Sequence, residues 1–124
     1  MKTKQREPAT TTNSTALPPE IPAAQLDRPI YTLSVASEIL ETHPRTLMMY
    51  EHLNMIKPKR TVTNRRRYSQ RDLMKLQAIQ TLTRKHGVNL AGVRYILALL
   101  KKLQLAGIES PEGLKDLDVT LLEV

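Results

Sequence analysis

The stretch His43 to Tyr68, HPRTLMMYEHLNMIKPKRTVTNRRRY, limits the possible folds more than any other part of the chain. Pro44 lacks an N–H that a first helical turn would leave unpaired anyway, and its ring sets φ at a helical value. A helix is therefore expected to start there. Leu47, Tyr50 and Leu53 recur at i, i+3 and i+6 and supply one buried stripe, which leaves Arg45, Thr46 and Met49 to face outward. Asn54 follows, one of the few residues besides glycine that tolerate the left-handed conformation ending a helix. After a turn from Met55 to Pro58 the chain becomes strongly basic: Lys57, Lys59, Arg60, Arg65, Arg66 and Arg67 fall within eleven residues. Thr61, Val62 and Thr63 before Asn64, and Arg66 to Tyr68 after it, predict two short strands with Asn64 in the turn. The helix thus runs into a basic two-stranded wing.

The flanks supply the rest of the domain. Ser34 is the expected N-cap of a first helix with Val35, Ala36, Ile39 and Leu40 as its apolar positions, ending near Leu40 or Glu41. The short Glu41-Thr42-His43 link then makes a helix-turn-helix, a unit whose second helix enters the DNA major groove. Downstream, Ser69 caps a helix with Leu73, Leu76, Ile79, Gln80 and Leu82 on its buried side, and His86 and Gly87 end it. A longer helix from Asn89 or Leu90 to about Gln104 carries Leu90, Val93, Ile96, Leu97, Leu100 and Leu103. That is more apolar surface than one small domain needs, so it can serve packing within the chain, pairing of two copies, or both. Ser110 and Pro111 read as N-cap and first residue of a brief helix to Leu117, and VTLLEV as a strand or a partner-binding tail.

Charge is divided unevenly along the 124 residues. Residues 1–27 are balanced, residues 28–104 hold 15 basic side chains against 4 acidic ones, and residues 105–124 hold 1 against 5. A concentrated cationic face attracts phosphate through counterion release, and a nucleic acid is the commonest partner for one; beside a helix-turn-helix the expected partner is double-stranded DNA. The acidic end is expected to limit non-specific association or to bind a partner. Residues 1–29, rich in Thr, Pro and Ala, read as a disordered arm, 30–104 as the DNA-binding domain and 105–124 as a short acidic tail. With no cysteine, thiolate metal sites and a cysteine nucleophile are excluded, and the three histidines lack ligand spacing. The serines sit in capping or helical contexts rather than beside a His and an acid, so the expectation is no enzyme, no cofactor and no metal. The apolar run Tyr95 to Leu100 is far too short for a membrane span, and a cytoplasmic, nucleoid-associated protein is expected.

Over residues 30–104 the chain resembles the MerR family of winged helix-turn-helix regulators. The resemblance rests on Thr46-Leu47-x-x-Tyr50-Glu51, Pro58-Lys59-Arg60, Asn64-x-Arg66-x-Tyr68 and Asp72-Leu73. HPRTL (43–47), RRYS (66–69) and GVNLAGVRYIL (87–97) are similar to the heat-shock repressor branch, HspR. The resemblance implies a mainly α fold: a winged helix-turn-helix with a small two-stranded β wing and two following helices. It also implies a homodimer on an inverted-repeat operator near chaperone genes, repressing them with the chaperone DnaK as partner. Carried over by position, Arg45 and Thr46 would meet base edges and nearby phosphates, Tyr50 and Tyr68 would reach phosphates through their hydroxyls, and Arg60, Arg66 and Arg67 would clamp the backbone. His43, Lys57, Lys59 and Arg65 complete the expected DNA-binding set. Met48 departs from the pattern, standing where the family has a phosphate-binding Arg. The long C-terminal helix and Cys ligands of the metal-sensing members are not recognisable here. Two other readings stay open: a chaperone modulator (CbpM-like) that binds a J-domain protein, which would not need the dense wing cations, and an excisionase-like protein that binds DNA as a head-to-tail array.

Overall fold

The computed structural model describes residues 22–124. It holds four α-helices and a three-stranded antiparallel sheet, in the chain order β1 (Tyr31–Thr32), α1 (Leu33–Ile39), α2 (Pro44–His52), β2 (Lys59–Arg60), β3 (Arg66–Tyr68), α3 (Gln70–Gln80) and α4 (Leu90–Leu105). Single 3-10 turns lie at Ala23–Gln25 and Glu112–Leu114. The fold is mainly helical and of the winged helix-turn-helix type, as the sequence indicates.

Local chemistry sets the helix starts. His43 caps α2, its Nδ1 accepting the Arg45 N–H at 3.0 Å, with Pro44 as the first helical residue. Ser69 and Asp72 form a reciprocal capping box on α3, and Asn89 caps α4 by accepting the Gly92 N–H at 2.8 Å. In α1 the cap is Thr32, whose Oγ1 accepts the Val35 N–H at 3.1 Å, and not the expected Ser34. The reason is that β1 pairs with β3 (Tyr31 with Tyr68, Thr32 with Arg67) and passes straight into the helix, so the cap falls on the last strand residue. This third strand was not legible as a strand; it makes the sheet order β1-β3-β2.

One core joins these elements. Leu47 and Tyr50 of α2, Tyr68 of β3, Leu73, Leu76 and Ile79 of α3, and Val93, Leu97 and Leu100 of α4 are all buried in it. Short α1 buries a narrow stripe, Ala36 and Ser37 with Leu40 at its end, while Val35 and Ile39 are exposed, contrary to expectation. Leu53 is likewise exposed, because α2 ends at His52 and Leu53 already belongs to the turn that Asn54 closes at φ 61°. Gln80, buried on α3, donates from Nε2 to the Leu40 carbonyl at 3.0 Å and so fastens the helix-turn-helix link to the core. After Gln80 the helix widens into a π turn, Thr81–Lys85, which places Leu82 in the core before Gly87 reverses the chain at φ 65°.

Both flanking segments pack more closely than expected. Residues 22–29 were assigned to the arm, yet Leu26 is buried, its carbonyl accepts the Arg71 N–H at 3.0 Å, and Asp27 pairs with Arg71 at 2.8 Å. The remainder of the arm, residues 1–21, lies outside the described residues. At the other end Leu117, Val119 and Leu122 are core residues, although VTLLEV forms turns and not a strand. Gln104 holds this segment on α4: its amide donates to Ser110 Oγ at 3.0 Å and the Leu117 carbonyl at 2.8 Å, and accepts the Val119 N–H at 2.9 Å. Arg71 also donates to the Leu121 carbonyl.

Candidate nucleic-acid interface

Burial of Leu47 and Tyr50 fixes the rotation of α2. The side turned to solvent is then Arg45, Met48, Met49 and His52, at i, i+3, i+4 and i+7, with Thr46 half-buried beside it. His43 is exposed at the start of the same helix while its ring caps the first turn.

The wing lies alongside. β2 and β3 pair as Lys59 with Arg67 and Arg60 with Arg66, so the first strand lies before the expected Thr61 to Thr63 and shares no residue with it. Thr61 instead starts the turn: its N–H donates to the Arg65 carbonyl at 2.9 Å and its Oγ1 accepts the Arg65 N–H at 3.1 Å. Asn64 takes φ 65° there, a left-handed conformation that Asn tolerates, and Val62 stands fully exposed at the tip.

Strand alternation divides the wing cations into two sets. Arg60 and Arg66 face α2 and share Glu51: Arg60 Nη2 donates to Oε2 at 2.8 Å and Arg66 Nε to Oε1 at 2.6 Å. Burial alone would raise the Glu51 carboxyl, but the hydrogen bonds and charges of Arg66 and Arg60 outweigh it and hold the group below its ordinary value. These two arginines therefore brace the wing against α2, with part of their charge neutralised. Lys59 and Arg67 occupy the opposite wing face, with Arg65 at the turn and Lys57 at its approach. Among the described residues no carboxylate pairs with Arg45, Lys57, Lys59, Arg65 or Arg67. Arg65, Arg66 and Arg67 also line a groove of about 510 Å³ whose other wall is Thr32, Leu33 and Ser34 at the start of α1.

The two expected phosphate-reaching tyrosines differ from that expectation. Tyr68 is fully buried, and its hydroxyl is sealed without a partner; burial pushes its pKa up to about 12. Its place on the inner face of the central strand makes it a core residue, with its hydroxyl turned away from the surface where a phosphate contact was expected. The Tyr50 ring is also in the core, only 5% exposed. Sequence reasoning missed the bracing role of Glu51, which the opposite charges nine and fifteen residues away could have suggested. It also missed Arg94, which donates to the Leu53 carbonyl at 2.8 Å and secures the end of α2 from α4.

The metal-binding side chains do not cluster among the described residues, and no helix there is long and apolar enough to cross a membrane. The family model described as MerR HTH family regulatory protein matches residues 31–100. The chain is 42% identical over 73 residues to a protein named putative heat shock protein HspR from Streptomyces coelicolor, covering 59% of this chain and 48% of that one. It is 31% identical over 94 residues to the HTH-type transcriptional regulators named GlnR of Bacillus anthracis and Bacillus cereus, covering 76% of this chain and 71% of each. The chain thus spans about half the length of the Streptomyces relative.

Proposed function

We propose, from the premise that the chain belongs to the MerR family of helix-turn-helix regulators and is an HspR-like transcriptional regulator, that it represses heat-shock and chaperone genes. It does so as a homodimer on an inverted-repeat operator, within the cytoplasm and on the nucleoid, with DnaK as protein partner. The observation that carries the DNA-binding part is the exposed α2 face together with the wing residues Arg65 and Arg67, which no carboxylate among the described residues neutralises. A groove-sized helix joined to a wing of uncompensated cations fits a reading helix with a phosphate clamp. Arg45 and Thr46 sit at the N-terminal end of that helix, where base edges and nearby phosphates come within reach. Lys57, Lys59, Arg65 and Arg67 supply backbone contacts, Arg60 and Arg66 hold the wing in register, and His43 presents the first turn.

Genome-wide recovery of DNA bound by the purified protein tests this reading. Enriched inverted repeats with centres about one or two helical turns apart, upstream of chaperone genes, are expected. Direct repeats would favour array binding, and no enrichment over random DNA would favour a J-domain partner. In the same assay, Arg65→Ala with Arg67→Ala weakens binding to all sequences and lowers the log–log salt slope by up to about 2, whereas Arg45→Ala relaxes sequence choice.

A further inference from the structure

The centre of the exposed α2 face is apolar. Met48 is 39% and Met49 43% exposed, side by side between Arg45 and His52. Neither thioether is a useful donor or a strong acceptor, so this part of the helix cannot read the N7, O6, N6 or N4 positions of base edges. The one apolar feature that a B-form major groove offers is the 5-methyl group of thymine. Methionine suits it, being unbranched, polarizable and able to settle on a small apolar projection. The spacing also fits. Met48 and Met49 lie about 4.5–6 Å beyond Arg45 along the helix axis, between one and two base-pair steps of the duplex.

We propose that Met48 and Met49 are specificity-determining residues that select thymine, through its methyl group, one or two base pairs from the base read by Arg45. The inference rests on the operator-binding reading and deepens it. Sequence choice at that step then depends on apolar contact and not on hydrogen bonds.

The test begins with selection of duplexes from a random library by the purified full-length protein. In the recovered site each thymine is replaced singly by deoxyuridine, which removes only the methyl group. One or two positions are expected to lose about fourfold in affinity per methyl. Met48→Ala or Met49→Ala is expected to abolish that loss, and 5-methylcytosine at the same step to bind better than cytosine. Both side chains are exposed, so the variants keep the fold, and unchanged thermal melting checks this. A selected site insensitive to deoxyuridine at every position overturns the inference and leaves operator binding standing. So does an equal deoxyuridine penalty in the wild type and in both methionine variants, since something else then reads the methyl. Failure to select any sequence overturns both readings, and capture of a protein by this face without selection of DNA would do the same.

Discussion

Replacing Glu51 by glutamine keeps the side-chain shape but removes the charge that Arg60 and Arg66 share. The two contacts are short, 2.8 and 2.6 Å, and the three side chains are 20–35% exposed, so solvent screens them only in part. A hydrogen bond to a charged group contributes about 1.5–3 kcal/mol and a neutral one about 0.5–1.5 kcal/mol, so exchanging both costs about 2 kcal/mol. Water around Arg60 trims that toward about 1 kcal/mol. Urea unfolding at pH 7 should therefore show Glu51→Gln destabilised by about 1–2 kcal/mol. The pH dependence isolates the cause. Because the folded-state Glu51 titrates below the ordinary 4.5, the unfolded chain takes up its proton first as pH falls. The stabilisation is complete above about pH 4.5 and is lost as pH drops through the folded-state value, where wild type and variant should converge. A gap of the same size at pH 7 and pH 3 would refute the electrostatic account and leave packing as the cause. The variant should also bind random DNA more tightly, since two wing arginines are released from their counter-charge.

Tyr68→Phe deletes a sealed, unpaired hydroxyl, so thermal melting should show no loss of stability and up to about 1 kcal/mol of gain, with DNA affinity unchanged; weakened DNA binding in a filter or fluorescence assay would restore the phosphate-contact role. Leu122→Ala removes a core side chain from the acidic segment and should cost about 2–5 kcal/mol in urea unfolding, whereas a merely tethered tail would tolerate it. Gln80→Met leaves the Leu40 carbonyl without its donor and should cost about 1–3 kcal/mol, with faster amide exchange in the link between α1 and α2 as the local readout.

The parts of the fold written in local chemistry were legible. Pro44, Ser69, Asn89, Asn54 and Asn64 all do what their backbone preferences dictate, because a cap or a left-handed turn is decided within a few residues. What depended on distant partners was not. Nothing next to Tyr31 announces pairing with Tyr68, and nothing in VTLLEV shows that Gln104 will hold it as turns on α4. The same division runs through the candidate interface. Its cations were legible as a group, but their sorting into Glu51-bound and unpaired sets required the strand register. Periodicity placed Leu53 with Leu47 and Tyr50, but the helix had already ended. Tyr68 was assigned outward by resemblance, but the alternation of β3 puts it on the inner face with Arg66.

Arg71 holds Asp27 and the Leu121 carbonyl at once, partners 44 and 50 residues away in opposite directions along the chain. Each contact closes a long loop, whose entropy must be lost before the bond returns anything, so both are expected to form late in assembly. An interaction absent from the transition state leaves the folding rate alone and acts on the reverse step. Arg71 is therefore expected to act on the lifetime of the folded domain. Loss of this side chain would speed unfolding while refolding kept its pace.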